Sequence, residues 1–319
     1  MDPVSLHPEI VAVLEVMNDH PLARFEGMTP QQARDLLAET FPPVFEPPVA
    51  RVEDVQIVVG GEAGRVIDAR LYHPAPGETL PLVVFFHGGG WVWGNLDQTD
   101  ANCRLMASVG NVAVLSVDYR LAPEHRFPAA ADDAVAATRW ALHHAAELGA
   151  DPARVGVAGD SAGGNLSAVA TLALRDDPAG TDPIKAQLLI YPAVDCDLDR
   201  PSMHTYGEGY LLERVHMAWF YDHYAPDRAG DRDPRLTPLF ATSHAGLPPA
   251  VALIAEVDVL RDEGEAYVAA LQAAGVPCDL ILAEGMIHGF IGFWPGSAAA
   301  RESYESGIHR FAALLSADD

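Results

Sequence analysis

The chain has 319 residues, 49% of them hydrophobic, which is ample apolar material for a large folded domain and excludes a disordered chain. Acidic residues outnumber basic ones 45 to 20, for a net charge of −25, and Lys185 is the single lysine, so the surface repels phosphate backbones and nucleic acid is not an expected partner. No apolar run reaches the roughly 18 residues of a spanning helix, and Met1-Asp2-Pro3-Val4 lacks the basic stretch and apolar core of a secretory leader, so neither a membrane span nor export is expected.

The acidic excess admits two readings, an ordinary solvated face or an adaptation to high salt, and stability at molar salt separates them. Cys103, Cys196 and Cys278 are odd in number and widely spaced. They predict buried small residues in a reducing cytoplasm, with no disulfide or metal pattern.

Residues 1–50 are set apart by Phe41-Pro42-Pro43 and Glu46-Pro47-Pro48. Helices are expected over 6–19 and 30–39, the second with Thr29 as N-cap and Pro30 at its first position. This segment reads as a helical arm. Strands follow over 55–59 and 65–72, joined by a Gly60-Gly61 turn, and then come short continuous apolar runs over 82–86, 112–117, 155–158, 188–190, 251–254 and 280–282. Helical stretches at 132–148, 162–175, 263–274 and 297–315 alternate with these runs. Strands apolar on both faces, alternating with helices, predict a mostly parallel sheet with right-handed crossovers. Residues 200–230 break the alternation. They hold Tyr206, Tyr210, Trp219, Phe220, Tyr221 and Tyr224 without a strand signal, and read as a helical insertion over the sheet.

Two motifs sit where such sheets carry sites, at the carboxyl ends of strands. His87-Gly88-Gly89-Gly90-Trp91 follows the 82–86 run, and three glycines let backbone N–H groups approach an oxyanion. Gly159-Asp160-Ser161-Ala162-Gly163 stands between the 155–158 strand and the 162–175 helix, the context that a G-x-S-x-G turn requires. Such a turn holds a serine oxygen outward at a helix N-terminus, where developing negative charge is favoured. A serine nucleophile needs a base, and the base an orienting carboxylate, in the chain order serine, acid, histidine. Of the histidines after Ser161, only His288 directly follows an expected strand, in Gly285-Met286-Ile287-His288-Gly289-Phe290. For the acid, Asp258 fits best. Its rivals are Glu256, still at the strand end, and Asp262, read as a cap of the next helix.

Together these motifs resemble the hormonesensitive-lipase-like α/β-hydrolases, the bacterial carboxylesterases called family IV, from about residue 52 to the C-terminus. Asp118-Tyr119-Arg120-Leu121-Ala122-Pro123-Glu124 looks like the family's Y-R-L-A-P-E stretch, Ile190-Tyr191-Pro192 also fits, and 258–264 is similar to D-P-L-R-D-E-G with Val259 where proline is usual. Asp160 before the serine resembles the GDSAG branch.

The resemblance implies an α/β-hydrolase fold: a mostly parallel sheet of about eight strands flanked by helices, with a helical cap. It divides the chain into an arm (1–50, part of the cap), a catalytic domain (51–199 and 231–319) and a cap insertion (200–230). It implies a serine carboxylesterase for short- to medium-chain esters, with Ser161 as nucleophile, His288 as base, Asp258 as its orienter and an oxyanion hole from the N–H groups of Gly88, Gly89 and Ala162. No metal or cofactor is implied. The partner is a small-molecule ester, and the family's habit of dimerising near the last strand implies a homodimer, for which the sequence offers no clear exposed patch. Trp91, Trp93, Tyr206, Tyr210, Phe220 and Phe290 are expected to line or border the pocket, because the cap lies above the strand ends. The same triad serves amidases, deacetylases and peptidases. A dehalogenase or epoxide hydrolase would carry aspartate in place of Ser161, and a non-catalytic receptor of this family would lack His288.

Overall fold

The computed structural model describes residues 6–59, 64–177, 184–228, 230 and 232–317. The arm comprises α1 (Pro8–Met17), a 3-10 helix (Pro21–Gly27) and α2 (Pro30–Thr40). Thr29 does cap α2: its hydroxyl accepts the Gln32 N–H while the Gln32 side chain accepts the Thr29 N–H. The sheet strands are β1 (Arg51–Val59), β2 (Arg65–His73), β3 (Leu80–Phe86), β4 (Ala113–Val117), β5 (Ala150–Asp160), β6 (Gln187–Ile190), β7 (Ala250–Val257) and β8 (Cys278–Ile287). The expected Gly60-Gly61 turn lies outside the described residues.

These strands form one eight-stranded sheet in the order β1-β2-β4-β3-β5-β6-β7-β8. β2 pairs antiparallel with β1 and β4, and the remaining pairs are parallel. Every residue of β3, β4 and β6 is buried, which is why these strands read as unbroken apolar runs. The helices α3 (Asp100–Gly110), α4 (Ala129–His144), α5 (Ala162–Arg175), α8 (Arg261–Ala273) and α9 (Ala298–Ser316) cover the sheet. α3 was not legible in the sequence: it follows a glycine-rich loop, and its N-cap Thr99 makes no side-chain capping bond.

Between β6 and β7 lie α6 (Pro201–Thr205) and α7 (Arg214–Tyr224). α7 packs against the arm's 3-10 helix. The Phe25 ring stacks on His216 at 4.2 Å, and the Trp219 indole N–H donates to the Met28 carbonyl at 3.3 Å. Two elements separated by about 190 residues thus form one layer above the carboxyl ends of β3 and β5. Of the cysteines only Cys103 is buried. Cys196 and Cys278 are half-buried, because they stand in a loop and at the start of the edge strand β8. Among the described residues no helix is long and apolar enough to cross a membrane.

Candidate active site

Ser161 joins β5 to α5 with φ 56° and ψ −117°, in the left-handed half of the map that a non-glycine residue rarely enters. Such a conformation costs about 1–3 kcal/mol and must be held by its surroundings. Here the Ser161 N–H donates to the Ile190 carbonyl at 2.8 Å, and its own carbonyl accepts from Asn165 and Ala193. The flanking glycines are a packing requirement. A Cβ on Gly163 would collide with the Phe86 carbonyl oxygen, and one on Gly159 with the Gly163 backbone, so helix and strands could not meet this closely.

The Ser161 hydroxyl lies 2.9 Å from His288 Nε2, and His288 Nδ1 lies 2.7 Å from Asp258 Oδ2. Asp258 Oδ1 accepts the Leu260 N–H at 2.9 Å, which fixes the carboxylate in the loop after β7. Both Asp258 and His288 are buried. The rivals for the acid are engaged elsewhere. Glu256 accepts the Gly285 N–H at 2.7 Å. Asp262 is not a helix cap, since α8 already begins at Arg261; it accepts the Ser202 N–H at 2.8 Å and ties α6 to α8.

The loop after β3 brings a correction. The Gly88 N–H donates to Asp160 Oδ1 at 2.9 Å, so Gly88 has no donor to offer an oxyanion. Asp160 precedes the nucleophile, and its carboxylate was invisible to the sequence reading as a competitor for that N–H. Gly89, Gly90 and Ala162 line the cavity in front of Ser161, and among the described residues no backbone carbonyl takes their N–H groups. Gly89 and Gly90 take φ +113° and +57°. His87 anchors the start of the loop: its ring stacks on Tyr119 at 4.3 Å, and its carbonyl accepts the Tyr119 hydroxyl at 2.7 Å. Burial holds the His87 imidazole down at about 4, so it is neutral at neutral pH.

A cavity of about 320 Å³ opens on Ser161, His288 and this loop. Trp91, Trp93 and Phe220 line it; Tyr206, Tyr210 and Phe290 do not. Tyr206 and Tyr210 pack on each other edge to face, at 6.0 Å. Phe290 is fully buried against Tyr191 at 5.5 Å, on the core side of the catalytic loop. Sequence reasoning placed the arm in the cap but named none of its residues as pocket lining. Met17, Leu22, Phe25, Leu37 and Phe41 form much of the apolar wall, while Asn95, Gln98 and Asn102 give the opposite chemistry, a short stretch of carboxamides. Apolar residues at helical spacing in 6–41 could have signalled which face of the arm is buried.

Trp93 touches Phe25 at 4.5 Å and Phe220 at 4.8 Å, at the meeting of arm, loop and α7. Trp93→Ala is expected to shift the ratio of rates on long and short esters by about tenfold or more, the scale of a methylene's pocket contact. Tyr210→Ala is expected to leave it unchanged. Equal ratios in wild type and Trp93→Ala would remove Trp93 from the specificity wall.

Comparison with known proteins agrees with this geometry. Residues 83–292 match the family model described as alpha/beta hydrolase fold. The chain is 46% identical over 269 residues to the carboxylic ester hydrolase LipN of Mycobacterium tuberculosis, covering 82% of this chain and 71% of that protein. It is 39% identical over 314 residues to the carboxylesterase NlhH of the same organism, covering 96% and 97%. A thermostable esterase from Pseudomonas putida superposes with a TM-score of 0.90 at 32% identity, covering 100% of both chains. The chain belongs to the α/β-hydrolase family, in its hormone-sensitive-lipase-like branch.

In this α/β-hydrolase, Asp160 carries a pH signature. Burial pushes its carboxyl up to about 6, against the opposing pull of the Gly88 N–H and of His288. The folded state therefore holds this proton more tightly than the unfolded chain, whose aspartate titrates near 3.8. Stability from this group is full below about pH 4, falls as pH rises to about 6, and stays lost above. Asp160→Asn keeps an acceptor for the Gly88 N–H without the charge. Its melting temperature relative to wild type is expected to rise between pH 4 and pH 6 and then level off; a difference that does not vary with pH would contradict the shift.

Proposed function

We propose that this chain is a serine carboxylesterase acting on short- to medium-chain acyl esters. The observation that carries the reading is the continuous hydrogen-bonded line from Asp258 through His288 to Ser161, ending at the cavity. The names carried by its relatives support an ester as substrate.

The Ser161 hydroxyl attacks the ester carbonyl carbon while His288 Nε2 takes its proton. Asp258 holds the imidazole with its Nδ1 proton turned inward and stabilises the imidazolium; it does not itself become protonated. Negative charge gathers on the carbonyl oxygen and is received by the N–H groups of Gly89, Gly90 and Ala162, the last at the N-terminus of α5. The C–O bond then breaks, His288 returns the proton to the departing alcohol, and an acyl-enzyme remains. Water repeats the sequence, with His288 again as base, and frees the acid.

We read 1–50 and 200–230 as a joint cap over the catalytic domain, since both contribute to the wall. The apolar lining from Met17 to Phe41 and from Leu211 to Phe220 favours the acyl chain, and enclosure limits its length. The test is a p-nitrophenyl ester series from acetate to palmitate, beside matched anilides. A maximum at short or medium esters, with anilides far slower, supports the reading. Faster anilide cleavage would make it an amidase.

A further inference from the structure

Arg34 stands on α2 in the arm, and its guanidinium bonds to two separate loops. Nε donates to the Val92 carbonyl at 2.7 Å. Nη2 donates to the Ala122 carbonyl at 2.7 Å and to Glu124 Oε2 at 2.8 Å, and Nη1 to Glu124 Oε1 at 2.8 Å. The fork thus spends all three of its nitrogens, and the side chain is only 20% exposed. Glu124 answers as a charged partner, its carboxyl held at about 2 chiefly by the bond from Arg34.

What Arg34 grips matters more than the ion pair, since a half-exposed pair alone contributes little. Val92 lies two residues beyond Gly90, and the N–H groups of Val92 and Trp93 both turn back onto the Gly89 carbonyl. Ala122 in turn donates its N–H to the Trp91 carbonyl at 2.8 Å. Asp160 holds the first glycine of this turn and Arg34 holds its far end. A peptide plane is rigid, so holding the Trp91 and Val92 carbonyls also holds the Val92 and Trp93 N–H groups that grip the Gly89 carbonyl, and that carbonyl shares its plane with the Gly90 N–H.

We propose that Arg34 is a positioning residue for the oxyanion loop: through Val92 and Ala122, the N-terminal arm sets the angle at which the Gly90 N–H meets the reacting carbonyl. The inference rests on the serine-esterase reading. Lysine would not replace it, because a single ammonium cannot reach two carbonyls and a bidentate carboxylate in one plane.

The experiment compares Arg34→Ala, Arg34→Lys and Glu124→Gln on a short p-nitrophenyl ester, with melting curves. It also measures the affinity of an alkylboronic acid. Boron accepts a bond from Ser161 Oγ, the serine proton passes to His288, and the tetrahedral anion places an oxygen at the oxyanion position. In Arg34→Ala, kcat is expected to fall by about 100-fold, the scale of a displacement near 1 Å at the reacting centre. KM is expected to change little, and boronate affinity to fall in parallel with kcat. Glu124→Gln, which leaves both carbonyl bonds in place, is expected to lose far less, and Arg34→Lys to fall between. Near-native kcat in a folded Arg34→Ala, a loss carried by KM, or a loss of kcat with unchanged boronate affinity would each overturn the positioning role. Should Arg34→Ala fail to fold, a lysine variant with native kcat does the same. Ser161→Ala runs alongside: if it remains active the esterase reading fails, whereas if it is inactive and Arg34→Ala turns over normally only the role of Arg34 fails.

Discussion

Ser161→Ala is expected to lower ester kcat by about 10⁶ while leaving the protein folded. The hydroxyl bonds to His288 Nε2 at 2.9 Å and faces the cavity, so among the described residues that ring nitrogen is the buried group left unpaired. Alanine inherits the strained φ of 56° at Ser161, and the bonds that hold it there are all backbone bonds, to Ile190, Asn165 and Ala193. The variant should therefore melt close to wild type and still bind ester. What disappears is the covalent step. Residual catalysis from oriented N–H donors and binding alone runs about 10³–10⁴ over water in enzymes of this chemistry. The measurement is the initial rate on a butyrate ester, with substrate binding followed separately. Turnover near the native rate would mean that another group attacks the ester.

Asp258→Asn is expected to cost about 10⁴ in kcat, with geometry nearly intact. The direction follows from two bonds. Asp258 Oδ1 accepts the Leu260 N–H and Oδ2 accepts from His288 Nδ1. An asparagine must keep its oxygen toward the Leu260 N–H, because that donor is buried and an N–H facing an N–H is repulsive. Its NH₂ group then faces Nδ1. The imidazole can accept from it only by moving its proton to Nε2, the nitrogen that must receive the Ser161 proton. The ring is in place, but in the wrong tautomer. Steady-state kinetics measures the loss, and nitrogen NMR of His288 reports the proton's position. An asparagine variant with native kcat would show that Asp258 neither selects the tautomer nor supports the charged ring.

The positions of Ser161, Asp258 and His288 at strand ends were legible because each follows an expected apolar run by three to six residues, and a strand end is a local property. The two flanking glycines of Ser161 were legible for the same reason: they are needed within a few residues of where they stand. All the expected strands are present, and β3, β4 and β6, buried along their whole length, left the unbroken apolar signature. α3 left no such mark: it follows a glycine-rich loop and has no side-chain N-cap bond.

The sequence by itself determined the alternation of strands and helices, the turn that carries Ser161 and the order of the three polar residues. Each of these depends on neighbours in the chain and on side-chain type. Tertiary structure alone decided which N–H groups face the cavity. Gly88, Gly89 and Gly90 are identical as letters, and only the arrival of Asp160, 72 residues away, removes the first of them. It also decided the wall. Phe25, Trp93 and Phe220 meet because the arm and α7 fold over the same strand ends, whereas Tyr206 and Tyr210, in the same insertion, turn to each other. The physical reason is that backbone donors and apolar rings carry no address: their partners are chosen by proximity after folding, and proximity between distant segments is not written in local spacing.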